Sequence, residues 1–170
     1  VIVMFAFLNV KDIGIRGSAK KWFSEFKNSG QFRWFFYLSF YTAMILFRTL
    51  LCRSIWTNPV ENVIGIWGLH NSDGTLSTEV IENYILFFPW TFLVLGYYMR
   101  KQEVRLTFYE IVRKSFNISL GFSVLIEIAQ LMLKLGTFQL SDLFFNTIGG
   151  ISGGILFYLL LRIKNRNQEK

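Results

Sequence analysis

The chain has 170 residues, of which 52% are hydrophobic and 18% aromatic, and its mean hydropathy is +0.38. This composition is too apolar for the surface of a soluble protein, so it excludes a soluble globular domain. The formal net charge of +7 would by itself suggest nucleic acid as a partner. The basic residues, however, lie where the topology of a membrane protein requires them, and no nucleic-acid partner is predicted.

Four apolar stretches are long enough to suggest membrane spans: residues 34–52, 84–99, 116–133 and 143–163. Helices of about 17–25 residues cross a hydrocarbon core, so three stretches fit and 84–99 is slightly short. A fifth stretch, 1–10, reaches only about 15 Å as a helix, and we interpret it as the end of a helix whose start precedes the sequence. We therefore predict an all-α, polytopic transmembrane helical bundle of about five spans, the first one truncated, with residues 1–170 forming one domain.

The basic residues predict the orientation of these spans. Fifteen of the 18 lysines and arginines fall in the segments 11–33, 100–114 and 162–170. Because basic segments stay on the cytoplasmic side, these three should face the cytoplasm and the segments 53–82 and 134–142 should face outward. The C-terminus is then cytoplasmic.

The segments between the spans carry few chemical signals. Trp22, Phe23 and Phe26 can share one side of a short interfacial helix over 19–27, although these residues also fit a simple topology signal. The outer segment 53–82 is apolar at 63–67 but too short there to span, which favours a loop close to the membrane surface. Cys52 and His70 are each alone in the chain, so no disulfide, metal site or cofactor is predicted.

Polar side chains interrupt the last two apolar stretches. Ser123, Glu127 and Gln130 are spaced i, i+4 and i+7, which places them on one helix face, and Asp142 and Asn146 are i, i+4 on the next helix. The connection between these helices is short, so they should form an antiparallel hairpin whose polar faces meet. An ionisable residue inside a membrane is costly, and it marks a functional site by default.

Other polar residues are expected at the same level of the membrane. Arg48 and Arg53 lie at the outer end of the stretch 34–52, and Asn83 begins the stretch 84–99. Arg48 is the expected partner of Glu127. Further along the last stretch, Gly149 and Gly153 permit close approach of a neighbouring helix. The predicted ligand-binding residues are Arg48, Arg53, Asn83, Ser123, Glu127, Gln130, Asp142 and Asn146.

Two blocks of sequence resemble the VanZ-like family of integral membrane proteins. One is Asn83-Tyr-Ile-Leu-Phe-Phe-Pro89; the other is Glu127-Ile-Ala-Gln130 followed by Ser141-Asp-Leu-Phe-Phe-Asn-Thr-Ile-Gly-Gly150. Arg53, with Asn58-Pro59 and the region of Trp67, is similar to the family's polar first outer loop. The resemblance covers roughly residues 35–160. Many relatives carry an arginine and an aspartate in the short outer turn, where this chain has Gly136-Thr-Phe-Gln139.

The resemblance implies a multi-pass protein of the bacterial plasma membrane with a role in the cell envelope. The family takes its name from an accessory protein of glycopeptide resistance that is linked to teicoplanin. Our leading hypothesis is that the outer polar site engages a membrane lipid or a lipid-linked envelope precursor, with Arg48 and Arg53 binding phosphate or balancing the carboxylates.

Four alternatives remain open from the sequence. Glu127, with Asp142 as its partner, is a catalytic candidate for acid–base chemistry on a lipid headgroup, although no nucleophile is evident. A channel or small transporter is disfavoured because the polar groups occupy only the outer half of the bilayer. A non-catalytic subunit of an envelope complex would need a membrane protein partner. The polar residues would otherwise be a structural network that joins the helices.

Overall fold

The computed structural model describes residues 2–55, 58, 60–70, 74–102 and 106–168, with side chains from Gly14 to Asn167 within those ranges. Pro59 and residues 71–73 of the outer segment lie outside this description. The described chain forms α1 (Ile2–Asn28), α2 (Gly30–Leu46), α3 (Glu79–Gln102), α4 (Phe108–Leu133) and α5 (Leu140–Gln168). A π-helical turn over Phe47–Leu51 continues α2. Within these ranges only isolated β-bridges occur, which confirms the all-α prediction.

Four helices are long and apolar enough to cross a membrane: Gly30–Leu51, Glu79–Gln102, Phe108–Leu133 and Leu140–Asn167. They coincide with the four predicted main spans, so the protein is a multi-pass membrane protein. The predicted stretch 84–99 is not short, because the helix that contains it, α3, has 24 residues and a length of about 36 Å. The predicted stretch 1–10 is helical from Ile2, but α1 is not one of the four candidate spans, and its backbone leaves helical geometry at Gly14 (φ 69°, ψ 173°).

Glycines on one side of α5 bring its backbone against α3. A Cβ atom at Gly149 would overlap the carbonyl oxygen of Tyr84, and one at Gly153 would overlap that of Phe88. Small residues at helix interfaces allow this kind of close approach in membranes. The predicted approach of a neighbour at these two glycines is therefore confirmed, and the neighbour is α3.

The next two glycines of α5 face α4 instead. A Cβ atom at Gly150 would overlap the hydroxyl of Ser119, and one at Gly154 would overlap that of Ser115. The Oγ atoms of Ser119 and Thr91 lie 2.8 Å apart, and both residues are fully buried. We refer to these contacts of α5 with α3 and α4 as the glycine seam.

Aromatic packing joins α2 to α3 and α4. The rings of Trp90 and Phe122 stack with their centroids 4.3 Å apart, next to the buried Ile45 and Phe87. The indole N–H of Trp90 donates to the hydroxyl of Thr42 over 2.9 Å, so the one polar atom of the ring is paired. Helix α3 therefore packs against α2, α4 and α5.

The two ends of the bundle differ in chemistry. The loop end carries residues 52–78 and the α4–α5 connection, 134–139, whereas the basic end carries the start of α2 and the C-terminal turns of α3 and α5. The predicted interfacial segment lies in α1 at the basic end. There Trp22 and Phe26 pack on Phe36 of α2, while Phe23 remains 69% exposed.

Candidate functional site

The five polar residues predicted on the last two helices all lie inside the bundle near its loop end. Ser123, Glu127 and Gln130 on α4 and Asp142 and Asn146 on α5 are each no more than 5% exposed. The connection between the helices turns sharply because Lys134 and Gly136 have positive φ values of 54° and 83°. The predicted hairpin with facing polar sides is therefore present.

Asn146 and Ser123 form the deepest contact of this group. The amide nitrogen of Asn146 donates to the hydroxyl of Ser123 over 2.8 Å. The Oδ1 atom of Asn146 is buried and has no hydrogen-bond partner among the described residues. This oxygen is therefore an open acceptor at the base of the site. Burying an acceptor without a hydrogen bond costs free energy.

Asp142 lies between a neutral donor and a cation. Asn83 on α3 donates to its Oδ1 atom over 2.7 Å, and Nη2 of Arg53 lies 3.7 Å from its Oδ2 atom. The side chain of Asp142 is 7% exposed and that of Arg53 is 29% exposed. Arg53 and Asn83 were both predicted at this site, and the structure brings both to it, where Arg53 balances the buried carboxylate.

The expected pairing of Arg48 with Glu127 is wrong. Arg48 lies beside the first turn of α3 and forms an ion pair of 2.7 Å with Glu82, in which both side chains are about half exposed. Glu127 instead accepts a hydrogen bond of 3.0 Å from the backbone N–H of Gln139. Arg48 therefore lies outside the buried group, and the carboxyl group of Glu127 is hydrogen-bonded to the backbone of the turn.

Gln130 connects α4 to the end of the span Gly30–Leu51. Its side-chain nitrogen donates to the carbonyl oxygen of Thr49, in the π-helical turn, over 2.8 Å. The last carbonyl groups of a helix lack partners within the helix, so this bond satisfies one of them. Gln130 consequently has a structural task that its spacing alone did not reveal.

A segment of the outer loop lies over the start of α5. The backbone N–H groups of Leu140 and Ser141 donate to the carbonyl oxygens of Val63 and Ile64, over 2.8 and 3.3 Å. Gly65 has φ 76°, and a Cβ atom there would overlap the hydroxyl of Ser141, so the close approach requires glycine. We call residues 63–67 the strap.

Trp67 completes the strap. Its ring packs on Phe144 and Phe145 of α5, with centroid distances of 5.2 and 5.8 Å. The outer segment predicted to lie close to the membrane surface therefore packs on α5 through Trp67. Its position covers the first turn of the helix that carries Asp142.

A cleft of about 380 Å³ opens beside the strap at the loop end. Its lining combines charged and polar groups from the outer loop, the start of α3 and the α4–α5 connection: Arg53, Glu61, Asn62, Ile66, Glu79, Gly136, Thr137 and Gln139. Sequence spacing did not identify Thr137 and Gln139 as lining residues, because polar residues in a short connection carry no periodic signal. Thr137 and Gln139 are nevertheless buried and hydrogen-bonded to each other over 2.9 Å.

The two carboxylates of the helices lie one layer behind this cleft. Asp142 is separated from it by Arg53, and Glu127 by Gln139, and neither is a lining residue. The turn Gly136–Gln139 carries no charged side chain, yet the guanidinium of Arg53 lies against Gly136, with Nη1 3.5 Å from the position of a Cβ atom. Arg53 thus supplies a positive charge at the mouth.

The cleft surface and the buried carboxylates offer different chemistry. Among the described residues, no group of three or more histidine, cysteine, aspartate or glutamate side chains could hold a metal ion. A general acid or base must reach the proton that it moves, and Glu127 and Asp142 both face other protein groups. The cleft offers a cation, carboxylates and amides at its surface.

Comparison with known proteins identifies a family. A family model described as VanZ/LLP1 matches residues 3–162. No curated protein and no solved structure gives a significant match to the chain.

Proposed function

Since the chain belongs to the VanZ/LLP1 family, we propose that it is a cell-envelope protein of the bacterial plasma membrane that contributes to glycopeptide or lipoglycopeptide (teicoplanin) resistance. In this proposal the loop end faces outward and the C-terminus is cytoplasmic, as the distribution of basic residues predicts. The loop-end cleft engages a membrane lipid or a lipid-linked envelope precursor.

The convergence of charge on the loop-end cleft carries this proposal. Arg53 lines the cleft and at the same time approaches buried Asp142, so the cation is held in place from behind while its other face meets the cleft. A fixed guanidinium beside amide groups can bind a phosphate or carboxylate of an envelope component, and Glu61 and Glu79 of the same lining can bind an amine or hydroxyl group of it. Arg48 does not contribute to this cleft and is left out of the proposed binding group.

Buried carboxylates behind a binding surface act through the groups that they hold. Glu127 fixes the backbone of Gln139, and Asp142 fixes Arg53. Their neutral amide variants keep the shape but weaken both contacts, because a charge-assisted hydrogen bond is about twice as strong as a neutral one.

The test is to express Glu127→Gln and Asp142→Asn in the native host and to measure membrane abundance and sensitivity to teicoplanin-like and other envelope drugs. We expect normal abundance and sensitivity close to that of a strain lacking the protein. Glu25→Gln, an exposed residue of α1 at the basic end, is the matched control and should behave as the wild type.

Three results would contradict the proposal. Unchanged sensitivity at normal abundance would point to a task unrelated to these drugs. Loss of abundance in both amide variants would return the polar group to a structural role. Conversion of a lipid-linked precursor by the purified protein would replace binding by catalysis.

A further inference from the structure

Two arginines converge at the basic end, on the opposite side of the bundle from the loop-end cleft. The Nη1 atom of Arg100 and the Nη2 atom of Arg33 lie 3.2 and 3.7 Å from the position that a Cβ atom on Gly30 would occupy. Gly30 is the first residue of α2, so the two guanidinium groups meet over the start of that helix. The absence of a side chain at Gly30 leaves the space between them open.

Neither arginine has a carboxylate partner in the described part of the chain, where the ion pairs are those of Arg48 and Arg53. Arg33 is held from one side, because its Nη1 atom donates to the carbonyl oxygens of Phe26 and Lys27 over 3.1 and 2.8 Å. Two like charges brought together with no carboxylate partner among the described residues create a strong local attraction for an anion.

The walls beside this pair are apolar and aromatic. Arg100 lies over the ring of Trp34, with its Cζ atom 5.4 Å from the ring centroid. Gly96 on α3 allows this arrangement, since a Cβ atom there would overlap the ring. A cleft of about 350 Å³ includes both arginines, Trp34, Tyr37 and Leu93 in its lining.

A second cleft, of about 370 Å³, shares Trp34 and Arg100 with the first one. It continues between α3 and α5 along Phe92 and Leu160, and Lys164 adds a further cation. A charged pair at helix ends followed by apolar walls between spans has the chemistry of a phospholipid, with a phosphate at one end and acyl chains at the other.

We propose that Arg33 and Arg100 bind the phosphate of an anionic membrane phospholipid, whose chains lie along the two apolar clefts. A free anion would need only the charges, whereas a lipid also uses the aromatic walls between the membrane-spanning helices. This site is separate from the loop-end cleft and does not rest on the proposed function.

The test is native mass spectrometry of the purified protein in detergent, titrated separately with phosphatidylglycerol, phosphatidylcholine and inorganic phosphate. We expect retained phosphatidylglycerol, weak phosphatidylcholine binding and no displacement of lipid by phosphate. Arg100→Gln should weaken phosphatidylglycerol binding by about tenfold, the loss of one charge-assisted contact.

Lys101→Gln is the matched control, because Lys101 is the next residue of α3 but lies over Tyr97 instead of the cleft. It removes the same charge and should leave phosphatidylglycerol binding unchanged. Equal weakening by both variants would reduce the effect to overall charge and overturn the proposal. Equal binding of phosphatidylcholine, or displacement by inorganic phosphate, would overturn it as well. Arg100→Gln also removes the contact of the guanidinium with the Trp34 ring of α2, so the melting temperatures of both variants are compared to show that the fold is kept.

Discussion

One polar stripe on α4 has two parts with different surroundings. Ser115 and Ser119, in the middle of the bundle, pack on the glycines of α5 and are closed off by them. Glu127 and Gln130, eight and eleven residues beyond Ser119, meet a connecting turn and a helix end, respectively. Polarity within a membrane helix therefore does not by itself identify a binding site: the partners of each polar group decide whether it joins helices or supports a cleft.

The glycine seam should be the more sensitive part when side chains are enlarged. Gly149→Ala and Gly153→Ala each place a methyl group on a backbone carbonyl of α3, which cannot move without shifting the whole helix. Overpacking of this kind costs about 1–3 kcal/mol per site. The melting temperature in detergent and the membrane abundance should both fall.

Gly121→Ala provides the control for the seam. A Cβ atom at Gly121 would meet nothing within 4 Å, and alanine favours a helix over glycine by about 1 kcal/mol. Its melting temperature should equal or exceed that of the wild type. If the seam variants melt with this control, α5 does not depend on the close contact with α3.

The next effect in size should come from charge at the loop end. Arg53→Gln leaves buried Asp142 without its cation and should destabilise the protein by about 1–2 kcal/mol. Adding Asp142→Asn should restore part of that loss, because no charge is then left unpaired. Thermal unfolding of both single variants and the double variant measures this coupling.

Arg48→Gln is the comparison for this experiment. The Arg48–Glu82 pair is about half exposed, and exposed pairs contribute about 0–1 kcal/mol. Arg48→Gln should therefore change neither stability nor drug sensitivity to a measurable degree. Additive losses in the Arg53 and Asp142 variants, or an Arg48 effect of equal size, would show that the buried pair has no special weight.

The smallest effects should separate two serines of the same stripe. Ser119→Ala removes one hydroxyl opposite Thr91, and hydrogen bonds inside membrane proteins average about 0.6 kcal/mol. Ser123→Ala removes the hydroxyl to which the side-chain nitrogen of Asn146 donates. Both polar atoms of that amide would then lack a partner among the described residues. This variant should cost more, about 1–2 kcal/mol.

Drug sensitivity sharpens this last comparison. We expect Ser123→Ala to change sensitivity, since Asn146 lies one turn beyond Asp142, and Ser119→Ala to leave it unchanged. Equal behaviour of the two serine variants in both stability and sensitivity would mean that the stripe is uniform, and the division into two parts would be wrong.

The sequence predicted the four main spans and the facing polar sides of α4 and α5, because long apolar runs and i, i+4 spacing are strong signals. It placed the helix ends several residues inside their actual positions, since charged residues such as Glu79 and Lys101 extend α3 beyond its apolar run. Helices continue into polar surroundings wherever their backbone bonds are satisfied.

The contacts of the site were harder to predict. Arg48 and Arg53 are similar in sequence context, yet one lies on an exposed carboxylate and the other on a buried one. Gln139 holds Glu127 through its backbone, which no side-chain pattern reveals. Such pairings depend on how a loop leaves a helix, and spacing within a helix carries no information about that.

The π-helical turn at the end of the span Gly30–Leu51 sets this exit direction. The N–H of Cys52 reaches back to the carbonyl of Phe47 over 3.1 Å, so the turn holds one residue more than an α-helical turn. Loss of a single residue here would rotate the following chain by about 100° and carry Arg53 away from Asp142. The hydropathy of the span would hardly change. A chain with the same membrane profile but an ordinary α-helical turn at this position would therefore lack the contact between Arg53 and Asp142.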